Sequence, residues 1–556
     1  MIAGPSLSLV LFMACMPTGA PGGSSDPLAA YDAEYARIMN RLGVAETDTT
    51  RNVLNKEARD RKIGHQQVRV AFFQDTAFGT VLEQAQAHAD PWVAARAKAY
   101  QRHAVFLRSW TEDEKARETE LLAAIDELRS EEASWTSADG ETEIGLRGRW
   151  PGVSADADGL DPQLRGELAE AWVDHRLAWI GPELEELLRL RNEVARREGF
   201  KSYWELALFH RGLTPGGVDA MASELQALVQ PMNAAANARA AQMALEHRLP
   251  HDFTHDPKLR RLAGLDLDTS AAEGWFDADL AESRVAQAFK DLGLSIDGVQ
   301  IYTGPTRYTR PGAYSYPLKP ADHAAVVMSV DSRWGLWPYR ALTHELGLAS
   351  WWRMLPEQAA ASPVAWQPPT AWFEGYGQLF ERMVYMPDYH GTYVPDVPED
   401  HRAALAASVR QDAVDVITWY LGCTQVERRL YEMPGAWQTV AKEAAALEKT
   451  LRAHSWDAPV TEEGLAWTSF LGSSLMLNFP AYVQNYLYAY PTEATLWEAA
   501  EKAVGAPLIG NEKLGPWLRD QLVVPVSTGT SFEDQLKTLS GGDASTAALA
   551  RFLGAE

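Results

Sequence analysis

The stretch "LTHELGLAS", Leu342 to Ser350, places a histidine beside a glutamate in a run with helical apolar spacing. In a zinc helix of the form His-Glu-x-x-His, two imidazoles four positions apart share one face and meet one ion, and the glutamate reaches the metal-bound water. Zinc lowers the pKa of that water toward about 7, and the glutamate takes its proton to make a nucleophile for a peptide carbonyl. Here His344 and Glu345 hold the first two places, and Leu348 stands where the second histidine belongs. A leucine has no lone pair. The helix therefore offers one metal donor and one candidate general base.

A further donor lies thirty residues after His344, where "AWFEGYGQLFERM" carries Glu374 on a second helical pattern. Ahead of the motif, from Arg310 to Val330, "RPGAYSYPLKPADHAAVVMSV" has Pro and Gly punctuating two short runs rich in Ala, Val and Tyr. This predicts a small β hairpin directly before the motif helix. Beyond the motif, "FPAYVQNYLYAYP" gathers four tyrosines: Tyr482, Tyr486, Tyr488 and Tyr490. Taken singly, such tyrosines are ordinary core or wall aromatics, and a glutamate in an amphipathic helix is ordinarily solvated.

Taken in order, the hairpin, His344-Glu345, Glu374 and the tyrosine-rich tail resemble the gluzincin peptidases, specifically the angiotensin-converting-enzyme family of peptidyl-dipeptidases and the related thimet-oligopeptidase family. "LLRLRNEVARREGFKSYWEL" and the stretch from Gly510 to Gly554 are similar to further parts of that family, so the resemblance spans about residues 27–556. It implies a mainly α fold: one large helical body of two halves around a deep cleft, with one small β hairpin or sheet beside the motif helix. It also implies roles. His344 matches the first zinc ligand, Glu374 the third, Glu345 the general base, and Tyr486, with Tyr482 as the alternative, a phenolic donor. The hairpin, at Gly312, Ala313 and Tyr314, together with Tyr482, would bind substrate, its backbone by strand addition. His344, Glu345 and Glu374 should then converge in a groove beside Gly312 to Tyr316.

Two departures bear on the chemistry. Leu348 reduces three protein ligands to two, which forfeits several of the roughly 10–16 kcal/mol seen for fully ligated structural zinc and takes affinity toward micromolar or weaker. The family's oxyanion histidine and its substrate-gripping lysine have no counterpart from Ala466 to Ala481, "AWTSFLGSSLMLNFPA", a stretch without His, Lys or Arg. An oxyanion donor is typically worth roughly a hundred- to a thousandfold in rate. The reading is a pseudopeptidase whose cleft takes peptides or an extended polypeptide segment, with hydrolysis lost or strongly reduced and zinc weak or absent. Two alternatives stay open. One is an active zinc metallopeptidase with a replacement ligand, for which His323 and His390 are nearby histidines. The other is a non-enzymatic helical exported binding protein.

Several signals predict the helices that must carry these residues. Thr111 with Glu114 forms a capping box, Pro215 opens a long helix, and another helix stops at Gly199 and restarts near Ser202. Composition is that of a globular chain, 46% hydrophobic and 23% charged over 556 residues, and a formal charge of -24 argues against nucleic acid and anionic lipid as partners. Residues 1–26 hold an apolar run, Leu7 to Ala14, ahead of Cys15 and a Gly/Ser/Pro tether. They resemble a bacterial lipoprotein signal, implying export to the cell envelope and a membrane link only through lipid on Cys15; without that signal the chain is cytoplasmic. Cys423 is expected to be a buried free thiol, and residues 27–556 a monomeric metallopeptidase-like unit whose two subdomains have no readable boundary.

Overall fold

Short polar side chains set the helix starts by accepting amides that a first turn leaves unpaired. The N-terminal helices are α1 (Ala29–Arg51), α2 (Lys56–Gln74), α3 (Thr76–Gln86) and α4 (Pro91–Arg108). Asn55, Asp75 and Asp90 cap the last three. The expected capping box opens α5 (Glu112–Ser130): the Thr111 amide donates to Glu114 Oε2 at 3.0 Å and the Glu114 amide to Thr111 Oγ1 at 3.2 Å. As predicted, α6 (Pro182–Arg197) ends before Gly199, whose φ is 84°, and Ser202 caps α7 (Tyr203–His210). Pro215 opens α8 (Pro215–Glu246). This computed structural model describes residues 26–130, 133–146, scattered positions between 164 and 175, 181–246, 274–305, 308–310, 312–330, 335–451, 474–542 and 546–555. Cys15 and the export segment lie outside the described residues, and among those described no helix is long and apolar enough to cross a membrane.

The β structure exceeds the expected hairpin. Strands β1 (Ser134–Thr136) and β2 (Glu143–Gly145) form a separate antiparallel pair. Three-residue strands are too short to show a two-residue period, so no sequence pattern announced them. After α9 (Ala278–Asp291) come β3 (Val299–Gly304), β4 (Ala313–Lys319) and β5 (His323–Ser329). The hairpin is β4–β5, with Tyr314 opposite Val327, but β3 adds in parallel to the other side of β5 and makes a three-stranded sheet in the order β3-β5-β4. The unbroken buried run Ala324 to Met328 fits the central strand, covered on both faces. β4 is an edge.

The motif helix α10 (Leu336–Met354) and α11 (Thr370–Met383) follow, then α12 (Glu399–Glu432) and α13 (Val483–Val504). Buried apolar side chains form two clusters. One includes Tyr35, Tyr100, Val326, Leu346 and Tyr376; the other includes Leu188, Trp204, Leu225, Leu421 and Leu487, with Cys423 buried among them. Trp372 on α11 packs against both. A cavity of about 480 Å³ takes its walls from both halves, between α4 and α7 on one side and β4, α10, α11 and α13 on others.

Helix α11 lies on α13 at Gly375, where a Cβ would stand 2.6 Å from the Ala489 carbonyl oxygen and 2.6 Å from Thr492 Cβ. Gly375→Ala is expected to destabilise the fold by about 1–3 kcal/mol through overpacking. Gly64 in α2 has no atom within 4 Å of the same position. Gly64→Ala is expected to stabilise by about 0.5–1 kcal/mol through helix propensity. Opposite shifts of the urea midpoint for the two variants are the check.

Candidate functional site

From Leu342 to Trp352, α10 is buried at every residue but His344, which faces the cavity. A helix apolar on all sides is a core helix, so its polar side chains must find partners within the protein. Thr343 finds its own helix and Glu345 the Ser315 hydroxyl, while His344 turns to α11, where Glu374 and Glu381 stand seven positions apart on one face. His344 Nε2 is 3.4 Å from Glu374 Oε2, and His344 Nδ1 is 3.2 Å from Glu381 Oε2. One turn before His344, Arg340 donates to Glu381 Oε1 at 2.6 Å. The expected convergence of His344, Glu345 and Glu374 in a groove beside β4 is present.

Charge in this group is set by competing effects. Burial alone would lower the His344 pKa, but the two carboxylates on its ring nitrogens raise it well above the usual imidazole value. Burial alone would raise Glu381, and Arg340 with His344 holds it instead at about 2. Glu345 has no such cation in contact. Burial pushes it up to about 7, against the opposing pull of His344 and of a hydrogen bond from the Ser315 hydroxyl on β4. That places a carboxyl near its titration point at neutral pH beside the cavity, the state a general acid or base needs.

Leu348 occupies the helix face one turn beyond His344 and is buried. Helix α11 lies against both at Gly377, where a Cβ would be 2.8 Å from His344 Nε2 and 2.9 Å from Leu348 Cδ2. Methyl groups thus fill the place a second imidazole would take. Catalytic zinc sites hold the ion by three protein donors and leave one position for water. His344 and Glu374 make two, and among the described residues no group of three or more His, Cys, Asp or Glu side chains is placed to hold a metal ion. Neither proposed replacement lines the cavity: exposed His323 pairs with Asp322 at 3.1 Å, and buried His390 donates from Nε2 to the Val384 carbonyl at 2.7 Å. The donor set does not fit a tightly held zinc.

The tyrosines enter from the start of α13. Ala481, at φ 53°, donates its amide to Glu427 at 2.8 Å, and Gln484 donates to the same carboxylate at 3.0 Å. Arg211 donates to the Pro480 carbonyl at 2.9 Å. This turn aims Tyr482, whose hydroxyl donates to Glu374 Oε1. Tyr486, one turn on, also lines the cavity and stacks on Tyr420 at 4.6 Å. Burial and nearby carboxylates raise both phenols well above their usual value, so both are donors at neutral pH. It is Tyr482, and not Tyr486, that touches the candidate ligand. Residues 466–473 of the stretch searched for an oxyanion donor lie outside the described residues.

Along β4, Ala313 to Pro317 line the cavity, Tyr314 among them. Gly312 does not line it; at φ 111° it stands at the open end of the hairpin, where its carbonyl accepts the Ser329 amide at 2.9 Å and its own amide donates to the Ser329 hydroxyl at 2.9 Å. Sequence reasoning passed over Glu381 and Arg340, which the helical spacings 374 to 381 and 340 to 344 could have flagged. It also passed over Arg102, His103, His210 and Arg211 in the cavity wall, which come from two distant helices and carry no local pattern.

No protein-family model matches the chain, and no curated protein sequence does. Solved structures are similar along nearly its whole length. The M32 carboxypeptidase of Deinococcus radiodurans R1 superposes with a TM-score of 0.63 at 14% identity, covering 94% of this chain and 97% of that one. A carboxypeptidase of Pyrococcus furiosus, designated Apo-Mg, does so with a TM-score of 0.63 at 12% identity, covering 96% and 99%. At such identities the likeness is one of backbone course: the chain has the mainly α fold of these two carboxypeptidases.

Proposed function

We propose that this protein binds an extended polypeptide in its cleft and that peptide hydrolysis there is lost or strongly reduced. The observation that carries the reading is Leu348: a buried aliphatic side chain beside His344 and Gly377, where the fold's chemistry needs a donor atom. The gluzincin type of site, with a glutamate of the following helix as ligand, is supported by the 3.4 Å approach of Glu374 to His344. The name of the similar structures, carboxypeptidase, supports a ligand whose chain end enters the cleft.

Binding needs less than catalysis, and the elements it needs are in place. An edge strand offers unpaired backbone groups to an added strand, and β4 is such an edge with the cavity beside it. Tyr482 and Tyr486 add phenolic donors. Glu345 can order a water through its carboxyl, with Ser315 holding one oxygen. A bound zinc would polarise the carbonyl and acidify that water. Without a third protein donor for the ion, Glu345 alone leaves the developing oxyanion unsupported, a loss of several powers of ten.

The tests act on Leu348. Leu348→His presents a second imidazole on the face of His344, so zinc affinity is expected to rise on the order of a hundredfold or more, read by competition with a metal-sensitive dye. Peptide cleavage by the variant is expected to stay weak. A variant that gains no zinc affinity would overturn the ancestry of the site. The same substitution buries a polar ring, so without zinc it is expected to destabilise by about 1–3 kcal/mol, and zinc should restore the lost stability. Thermal unfolding with zinc and with chelator reads both.

A further inference from the structure

The two arginines that are buried among the described residues, Arg96 and Arg191, are matched to carboxylates, as are the partly buried Arg340 and Arg382. Arg96 pairs with Asp26 and Asp32, Arg191 with Glu118 at 2.8 Å, Arg340 with Glu381 and Arg382 with Glu493 at 2.8 Å. Arg69, Arg353 and Arg402 bond amide or backbone oxygens instead, each on its own, and the cavity wall differs in gathering three such arginines. Arg102 from α4, Arg211 from the turn after α7 and Arg310 from the segment before β4 all line the cavity, and among the described residues none of them makes an ion pair.

Their contacts are to backbone and ring faces. The Arg211 guanidinium, which donates to the Pro480 carbonyl, lies 4.8 Å from the Tyr482 ring. The Arg310 guanidinium lies 4.9 Å from the Tyr314 ring and 5.3 Å from that of Phe479. Arg102 runs along Gly212, its Nη1 3.1 Å from where a Cβ would stand. Between them, His103 Nδ1 and His210 Nε2 share a hydrogen bond at 3.0 Å. Burial, with neighbouring arginines, holds both imidazoles well below their usual range, so they are neutral and add polarity without charge. Burial lowers Arg102 with nothing opposing it, and lowers Arg211 although Tyr482, Glu427 and Glu374 pull the other way.

A partly desolvated guanidinium without a counter-ion is unfavourable. In a chain with 75 acidic and 51 basic residues, carboxylates are plentiful, yet three arginines without an ion pair among the described residues face a cavity whose lining holds two carboxyl groups, Glu345 and Glu374, the second already held by His344 and Tyr482. We infer that this wall is a subsite for carboxylates and that the polypeptide taken by the cleft carries acidic side chains, because three guanidiniums present more charge than a single chain-terminal carboxylate neutralises. The inference rests on the peptide-binding reading and names the class of its ligand. Arginine suits the task because its planar fork binds carboxylates bidentately and stacks on aromatic faces, as it does here on Tyr482, Tyr314 and Phe479. The formal charge of -24 repels acidic ligands at a distance, so selection acts at contact.

The test uses three short fluorescent peptides with one common core: one ending in two glutamates, one ending in two glutamines, and the glutamine peptide with an amidated end. Anisotropy titrations of the full chain are expected to show the glutamate peptide binding on the order of tenfold or more tighter than the glutamine peptide, with Arg102→Gln removing most of that gap. Arg310→Gln serves as a second variant should Arg102→Gln fail to fold. Tighter binding of the free-acid over the amidated glutamine peptide, with no gain from glutamate, would overturn the inference by assigning the subsite to the chain end alone. Equal binding of all three, unaltered by either variant, would overturn it while leaving peptide binding standing. Binding of none would overturn both.

Discussion

One partly buried imidazole between two carboxylates organises the centre of this molecule. His344 reaches Glu374 with one ring nitrogen and Glu381 with the other, and Arg340 neutralises the second carboxylate. Removing one partner would leave a charge largely shielded from water without its counter-charge, which is unfavourable. The arrangement dictates geometry around it. Helix α11 must lie on the motif face, which needs Gly377, and α13 must lie on α11, which needs Gly375. The turn before α13 is then held by Glu427 and Arg211 so that Tyr482 meets Glu374. The helical fold thus closes around His344, with the aliphatic Leu348 one turn beyond it.

Much of this was legible in the residues, for identifiable reasons. Caps and stops such as Thr111 with Glu114, Gly199 and Ser202 act over one turn, so local chemistry alone specifies them. His344, Glu345 and Glu374 were legible because helical period places them and motif order links them. The parallel pairing of β3 with β5 was not, since it joins strands whose partner is chosen by burial on both faces of β5. Nor was the choice between Tyr482 and Tyr486: both point to the cavity from one helix, and only the Ala481 turn decides which meets Glu374. The basic wall was invisible because Arg102 and His103 meet His210 and Arg211 only after two distant helices pack.

On the proposed reading, the cleft separates two properties that a peptidase combines. Recognition draws on an edge strand, phenolic donors and unpaired guanidiniums, each of which acts without a metal. Bond cleavage draws on a Lewis acid held by three donors and on an oxyanion partner, and the helix face at Leu348 lacks one of the former. Glu345, raised to about 7 by burial, sits near its titration point at neutral pH beside the cavity.

The most direct measurement is of the native protein: zinc per chain after equilibration with zinc and gel filtration, alongside turnover of a peptide library. The account predicts well under one zinc per chain and no turnover above background. One tightly held zinc per chain with measurable, chelator-sensitive cleavage would contradict it.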